Sequence, residues 1–296
     1  MVLDEPLVSI GLPIYNAGAE TRKIIECVLA QDYQDFELIV SDNASTDDTW
    51  SICQEYAQRD SRIRLYRNET NQGALINFER VFELATGKYF AWIAHDDYWE
   101  PGYIEACVKK LESESTAVLC YSDQLFTNTH TGVVAEVKYT FRGDHPKFGG
   151  RVRALLAKNP APYSVIYGVY RREIVQHAFP IPQTAINDIH FLLKVSKYGT
   201  FVHVPQTLFR RHVTPKGFHQ QMQRVFNRRF VLPRSLVYVS FLARLLHFAF
   251  TEGQGLAEKL QVAWAVSRYV GYKIILYAIP DEVRHAIKTT IRRWIK

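Results

Sequence analysis

The sequence predicts an α/β fold, a mostly parallel central sheet flanked by helices, followed by a helical basic C-terminal extension. Three observations carry this. Within residues 7–125, short apolar runs of strand length alternate with stretches of helical spacing. The polar residues of that region gather just after the apolar runs, where ligands of parallel sheets collect. The charge is also divided: residues 210–296 hold 16 Lys/Arg against 4 Asp/Glu, a net of +12, whereas residues 1–209 hold 20 against 26, a net of −6.

Leu7 to Leu12 reads as a first strand, ended by Pro13. Glu20 to Ala30 has helical spacing, with Ile24, Ile25, Val28 and Leu29 on one side. Phe36 to Val40 is a second strand. Thr46 to Gln58 is a second helix, for which Ser45 or Thr46 can serve as cap while Asp47 and Asp48 suit its positive end. Ile63 to Tyr66 is a third strand, and Ala74 to Ala85 a third helix with Gly87 as its stop. Tyr89 to Ile93 is a fourth strand, Pro101 to Glu112 a helix with proline in its first turn, and Ala117 to Tyr121 a fifth strand. Residues 126–160 read as a β-ribbon and a long irregular loop. Val165 to Tyr170 is a strand, Asp188 to Tyr198 a helix and Phe201 to Val204 a short strand.

The chemistry concentrates at Trp92-Ile93-Ala94-His95-Asp96-Asp97, where an apolar strand runs into two adjacent carboxylates. Neighbouring acids repel unless a cation sits between them. Carboxylate oxygens suit Mg²⁺ or Mn²⁺, which keep open positions for water and phosphate oxygens. The other reading is a solvated acidic turn. Two further polar clusters, Pro13 to Asn16 and Ser41 to Asp48, follow strands of the same predicted sheet, so three strand ends face one crevice. Neither GxGxxG nor GxxxxGK[ST] occurs, so a metal rather than a glycine-rich cradle must handle a diphosphate.

Several classes are excluded. Cys27, Cys53, Cys107 and Cys120 are scattered without a CxxC or His/Cys cluster, which argues against zinc and against a disulfide framework. Residues Met1 to Glu5 lack the basic start and apolar run of a signal peptide. Aromatic platforms and recognition motifs for nucleic acid are missing despite the basic tail.

The ordered motifs resemble family 2 glycosyltransferases of the GT-A, Rossmann-like fold. Val8-Ser9-Ile10-Gly11-Leu12-Pro13-Ile14-Tyr15-Asn16 looks like the family's V-S-I-x-x-P-x-Y-N, and Phe36 to Thr49 looks like its E-x-I-V-x-D-D-x-S-x-D-x-T. Asn71-Gln72-Gly73 and Gly87-Lys88-Tyr89 match the N-x-G and G-x-Y that precede the metal motif. The resemblance covers residues 7–125 and resumes at 186–212. It implies that Pro13 and Tyr15 flank a nucleobase, that Asp42 accepts the imide N–H of uracil or thymine, and that Asn16 and Asn71 lie in the nucleotide-sugar site. It implies that Asp96 and Asp97 serve the metal and the donor. Ala94 stands where the family's D-x-D-D often has its first aspartate. Asn187-Asp188 is similar to the family's E-D segment, making Asp188 the general base that takes the proton of an acceptor hydroxyl. Asn187 and Lys194 replace the family's glutamate and arginine there, and a plain helix cap is the alternative role for Asp188. Leu208 to His212 resembles a segment ending in R-x-H, which offers Arg211 to the diphosphate and His212 as a further metal ligand.

Residues 225–296 lie outside the resemblance. Val231 to Phe250 is mostly apolar, but Arg234 and Arg244 argue against a membrane span. Val283, Ile287, Ile291 and Ile295 form a stripe beside Arg284, Lys288 and Arg292, the pattern of a helix lying on an anionic membrane surface; packing on the catalytic domain is the alternative. The expected organisation is a catalytic domain over 1–215, with a nucleotide-sugar half (1–125) and an acceptor half (126–215), then a basic helical region over 216–296. The expected protein is a metal-dependent, inverting glycosyltransferase, cytoplasmic and peripheral at the inner face of the membrane. It moves a sugar from a UDP- or dTDP-sugar to a glycan or lipid-linked acceptor in bacterial surface polysaccharide synthesis. The rival readings are a nucleotidyltransferase, which should carry a glycine-rich phosphate loop, and a non-catalytic GT-A-like scaffold. Processive synthase signals, Q-x-x-R-W and a transmembrane bundle, are missing.

Overall fold

A computed structural model describes residues 7–128, 131–138, 143–156, 162–181, 187–213, 243–244, 246–251, 253 and 255–278. Much of the 231–250 stretch and all of the 283–295 stripe lie outside the described residues.

Strand β1 (Val8–Ile14) is buried along its whole length, as is β2 (Phe36–Asp42), which is why both read as unbroken apolar runs rather than alternating ones. With β3 (Ile63–Arg67) and β4 (Tyr89–Trp92) they form a parallel array in the order β3-β2-β1-β4. Helices α1 (Glu20–Leu29), α2 (Thr49–Arg59) and α3 (Ala74–Glu83) make the crossovers. Gly11 lets α3 close on β1: a Cβ there would stand 2.7 Å from Val81 Cγ2.

The second half departs from simple alternation. The order continues β8-β6-β9-β5, with β8 (Val169–Arg171) antiparallel to both β4 and β6 (Ala117–Asn128). Strand β9 (Thr200–Val213) is parallel to β6 and far longer than the predicted Phe201–Val204. Strand β5 (Asp97–Trp99), unforeseen in the sequence, adds antiparallel to β9. In the 126–160 stretch the expected β-ribbon is present, and a helix stands in part of what was read as loop. The stretch contributes the β6–β7 hairpin, with β7 at Val134–Val137, and helix α5 (Phe148–Leu155).

Three local expectations are corrected. Helix α2 starts at Thr49, so neither Ser45 nor Thr46 caps it; instead Asp47 Oδ1 accepts the Thr49 N–H at 3.1 Å, and Ser45 is drawn into the crevice. Helix α4 (Tyr103–Ser113) begins two residues after Pro101, which sits in the preceding turn. Only the end of the predicted Val165–Tyr170 strand is a strand: Pro162–Tyr167 is a 3₁₀ turn. Gly168 explains the switch, since a Cβ there would lie 2.4 Å from the Cys120 carbonyl oxygen.

The sheet has an apolar layer on each face. One combines α1, α2 and α4 residues with Ile10, Leu12 and Leu38. The other is rich in aromatics, with Phe82, Phe90, Trp92, Tyr170 and Phe191, and edge-on contacts such as Trp92–Phe191 at 5.6 Å. Buried side chains of this size contribute roughly 1.5–3 kcal/mol each, and edge-on pairing adds to that. Helix α6 (Arg172–Val175) is a single turn, and α7 (Asn187–Val195) packs on this second face. Helix α8 (Leu256–Ala278) joins it through Val262, Ala265, Val266 and Tyr269, and its Glu258 accepts the Gly149 N–H at 3.1 Å. The described part of the C-terminal region is thus packed on the main core. Among the described residues no helix is long and apolar enough to cross a membrane.

Candidate active site

The ends of β1, β2, β3 and β4 form one rim. Pro13 is buried in β1, and Tyr15, just past the strand, is 42% exposed, an aromatic face presented to the crevice mouth. Asn16 adopts a left-handed backbone (φ 46°), as does Ala44 across from it (φ 61°). Two hydrogen bonds lock these turns together: Asn16 N–H donates to Ser45 Oγ at 2.9 Å, and Thr46 N–H donates to Asn16 Oδ1 at 2.9 Å. Asp42, fully buried at the end of β2, accepts from the Ser45 N–H at 3.2 Å and from the Ser45 hydroxyl, and pairs with Arg67 Nε at 3.0 Å. An imide N–H arriving at Asp42 must therefore share the carboxylate with Ser45 and Arg67. Asn71 Oδ1 accepts from Asn43 Nδ2 (3.0 Å) and from the Gly73 N–H (2.9 Å), so it shapes the loop before α3.

The second cluster lies after β4. Strand β5 sets Asp97 opposite Arg211 in β9, and Asp97 is only 2% exposed. Its Oδ1 accepts no hydrogen bond, and Arg211 Nε stands 3.9 Å away. Burial pushes the Asp97 carboxyl up to about 8; Arg211 and the His212 N–H pull it down, and the Asp96 charge pushes it further up. Burial likewise raises Asp188, at the start of α7, against the opposing pull of the same Arg211. Burial pushes the Tyr167 phenol up, against the pull of Arg211, whose Cζ lies 5.1 Å from the centre of its ring. Asp188 also donates its N–H to Asn187 Oδ1 at 3.0 Å in the first turn of α7. His212 Nδ1 lies 3.0 Å from the Asp96 carbonyl. A carbonyl can only accept, so Nδ1 is the donor there and Nε2 is the ring nitrogen left to face a ligand.

A divalent cation fits this donor set in part. A buried carboxylate oxygen with no hydrogen bond, a second acid beside it and an imidazole whose Nε2 is left to face a ligand are the hard and borderline ligands such an ion takes. Among the described residues, however, no three His, Cys, Asp or Glu side chains already converge on one point. Diphosphate and water oxygens would have to complete the shell, as is usual for Mg²⁺.

The structure thus brings Asp96, Asp97, Arg211 and His212 together, leaves Asp188 at the start of α7 within the electrostatic influence of Arg211, and sets Tyr15, Asn16 and Asp42 along the neighbouring strand ends. Sequence reasoning missed Tyr167 and Tyr98, whose hydroxyl donates to Glu20 at 2.6 Å and whose ring meets His212 edge-on at 5.3 Å. The available signal for Tyr167 was Gly168, a glycine inside an apolar run, which marks a close backbone approach.

An α/β sheet with its polar groups at the ends of parallel strands and an arginine beside a buried carboxyl is the arrangement of a nucleotide-handling enzyme fold. A family model described as Glycosyl transferase family 2 matches residues 9–179, and the chain belongs to that family. RP339 of Rickettsia prowazekii, an uncharacterized glycosyltransferase, is 33% identical over 43% of this chain and 39% of its own length. EpsH of Bacillus subtilis, provisionally named a glycosyltransferase, is 29% identical over 72% of this chain and 63% of its own. TuaG of the same organism, provisionally assigned to teichuronic acid biosynthesis, is 34% identical over 38% and 45%. The aligned segments therefore span about half the length of these relatives. Two solved structures share the GT-A fold. S. aureus TarS in complex with UDP-GlcNAc superposes with a TM-score of 0.66 at 14% identity, covering 86% of this chain and 70% of that one. The mannosyltransferase PcManGT of Pyrobaculum calidifontis, in complex with GDP-Man and Mn²⁺, has a TM-score of 0.59 at 17% identity, over 99% and 81%.

Proposed function

We propose that this chain is a metal-dependent, inverting glycosyltransferase. It moves a sugar from a nucleoside-diphosphate donor, UDP- or dTDP-linked, to a hydroxyl of a glycan or lipid-linked acceptor in bacterial surface polysaccharide synthesis. The observation that carries this reading is Arg211 set beside the buried, hydrogen-bond-free carboxylate oxygen of Asp97 where β5 joins β9, with half-buried Asp188 at the start of α7 also within the influence of Arg211. One acid faces the donor side and the other the acceptor side. Family membership, the provisional name of TuaG and the nucleotide sugars bound by TarS and PcManGT support the substrate class.

Each side chain has a task. Tyr15 stacks on the base and Asp42 takes its imide N–H, sharing with Ser45 and Arg67. Arg211 offers its planar fork to the diphosphate. Asp97, Asp96 and His212 would hold Mn²⁺ or Mg²⁺, which when bound offsets charge on the departing nucleoside diphosphate. Asp188 receives the acceptor proton as its oxygen attacks the anomeric carbon from the face opposite the leaving group, and that single displacement inverts the centre. Residues 1–125 serve the donor, 126–215 the acceptor, and the basic 216–296 region an anionic membrane surface at the cytoplasmic face.

A panel of UDP-, dTDP- and GDP-sugars assayed for nucleoside-diphosphate release, with Mn²⁺ or Mg²⁺ and with chelator, tests the proposal. Metal-dependent release from a UDP- or dTDP-sugar is expected. Release of inorganic pyrophosphate from nucleoside triphosphates would instead favour a nucleotidyltransferase, and no turnover with intact nucleotide binding would favour a binding scaffold.

A further inference from the structure

We propose that Tyr167 is a positioning residue of this site: its ring holds the Arg211 guanidinium beside the buried carboxyl of Asp97, ready for the anionic part of a ligand. What the cation is used for rests on the glycosyltransferase reading; its placement rests on geometry alone. Arg211 Cζ lies 5.1 Å from the centre of the Tyr167 ring, inside the range of about 6 Å at which a guanidinium is attracted to an aromatic face. The 3.9 Å approach of Arg211 Nε to Asp97 Oδ1 is an ion-pair distance, longer than a hydrogen bond. It attracts the guanidinium, and the Tyr167 ring, nearer to Cζ than the Phe126 ring at 6.0 Å, supplies a plane.

The backbone that carries the ring is itself held. The Tyr167 carbonyl accepts the Tyr103 hydroxyl at 2.9 Å, and the Ile166 carbonyl accepts the Tyr170 hydroxyl at 2.8 Å. Both donors are buried. Gly168 follows with no room for a Cβ against the Cys120 carbonyl, and Phe209 meets the Tyr167 ring edge-on at 6.1 Å. Two hydroxyl-to-carbonyl hydrogen bonds and a glycine with no space for a side chain thus fix the 3₁₀ turn from which the Tyr167 ring projects. A guanidinium fixed in this way presents its fork to phosphate oxygens with little further loss of freedom.

The test uses the full chain and two readouts. The first is the Arg211 Nε–H resonance, assigned by its loss in Arg211→Met. The second is calorimetric binding of UDP with Mn²⁺. In Tyr167→Phe, which keeps the ring, the resonance should stay at its ring-shifted position and UDP affinity should be retained. In Tyr167→Leu the resonance should move away from that position and affinity should fall by about 2- to 30-fold. In the Arg211→Met background Tyr167→Leu should cost nothing further. Tyr167→Met, closer in volume, replaces the leucine variant if that chain does not fold. A resonance indifferent to loss of the ring, equal losses in the Phe and Leu variants, or losses that add fully with Arg211→Met would each overturn the proposal. A wild-type chain that binds neither UDP nor GDP with Mn²⁺ would sink the glycosyltransferase reading instead, and the resonance would still decide where Arg211 sits.

Discussion

Asp97 stands under two opposed demands. Burial favours its neutral form, pushed up to about 8, whereas ligating a cation requires the ionised form. A carboxyl whose folded pKa exceeds its unfolded value is a stability cost that grows as pH rises between those two values. Asp97→Asn should therefore match or exceed the wild type in thermal stability at neutral pH, by something on the order of 1 kcal/mol, while losing its response to Mn²⁺. Thermal melts with and without the metal check this; a large loss of stability would make Asp97 a structural acid. Asp188 has a different signature. Asp188→Asn should bind nucleoside diphosphate normally and lose transfer by about 10²–10⁴-fold. Weakened donor binding with turnover intact, read from steady-state kinetics, would return Asp188 to the role of a helix-start residue.

Helix α7 positions Asp188 and also carries His190, which burial, Lys194 and Arg244 hold down at about 4. Its unfolded value is near 6.5. Because the folded pKa is depressed, the stability it contributes is fully present above pH 6.5 and is lost as pH falls toward 4. The loss should reach at most about 3 kcal/mol. Urea titrations at pH 7 and pH 4.5 should show His190→Gln losing less stability between the two than the wild type; equal losses would contradict the assignment. The elements differ in how far the sequence revealed them. β1, β2 and β4 are covered on both faces, so burial wrote itself as apolar runs that could be read directly. β5 is three residues, Asp-Tyr-Trp, and exists because β9 offers it an edge, a tertiary cause with no local period. The same holds for Arg211: its motif pointed to phosphate, but its place opposite Asp97 depends on β5–β9 register. The carboxylates were legible as a doublet at a strand end; the closed-in state of Asp42 was not, because Arg67 reaches it from the neighbouring strand.

At the scale of the whole molecule the charge division separates chemistry from location. The acidic first 209 residues contain every named site residue but Arg211 and His212, and residues 210–296 carry a net of +12. If that basic region meets anionic lipid, removing residues 281–296 should weaken co-sedimentation with phosphatidylserine vesicles. High salt should weaken it too, since exposed charge is screened over about 8 Å at physiological ionic strength. Donor turnover on a soluble acceptor should survive the truncation. Vesicle binding unchanged by truncation and salt would remove the membrane role. The central claim is that Asp97 and Asp188 flank one cation-dependent centre with divided labour. Electron paramagnetic resonance titration of Mn²⁺ in the presence of UDP tests it most directly, on wild type, Asp97→Asn and Asp188→Asn. The account predicts that tight Mn²⁺ binding is lost in Asp97→Asn and kept in Asp188→Asn. Unchanged Mn²⁺ binding in Asp97→Asn would contradict it.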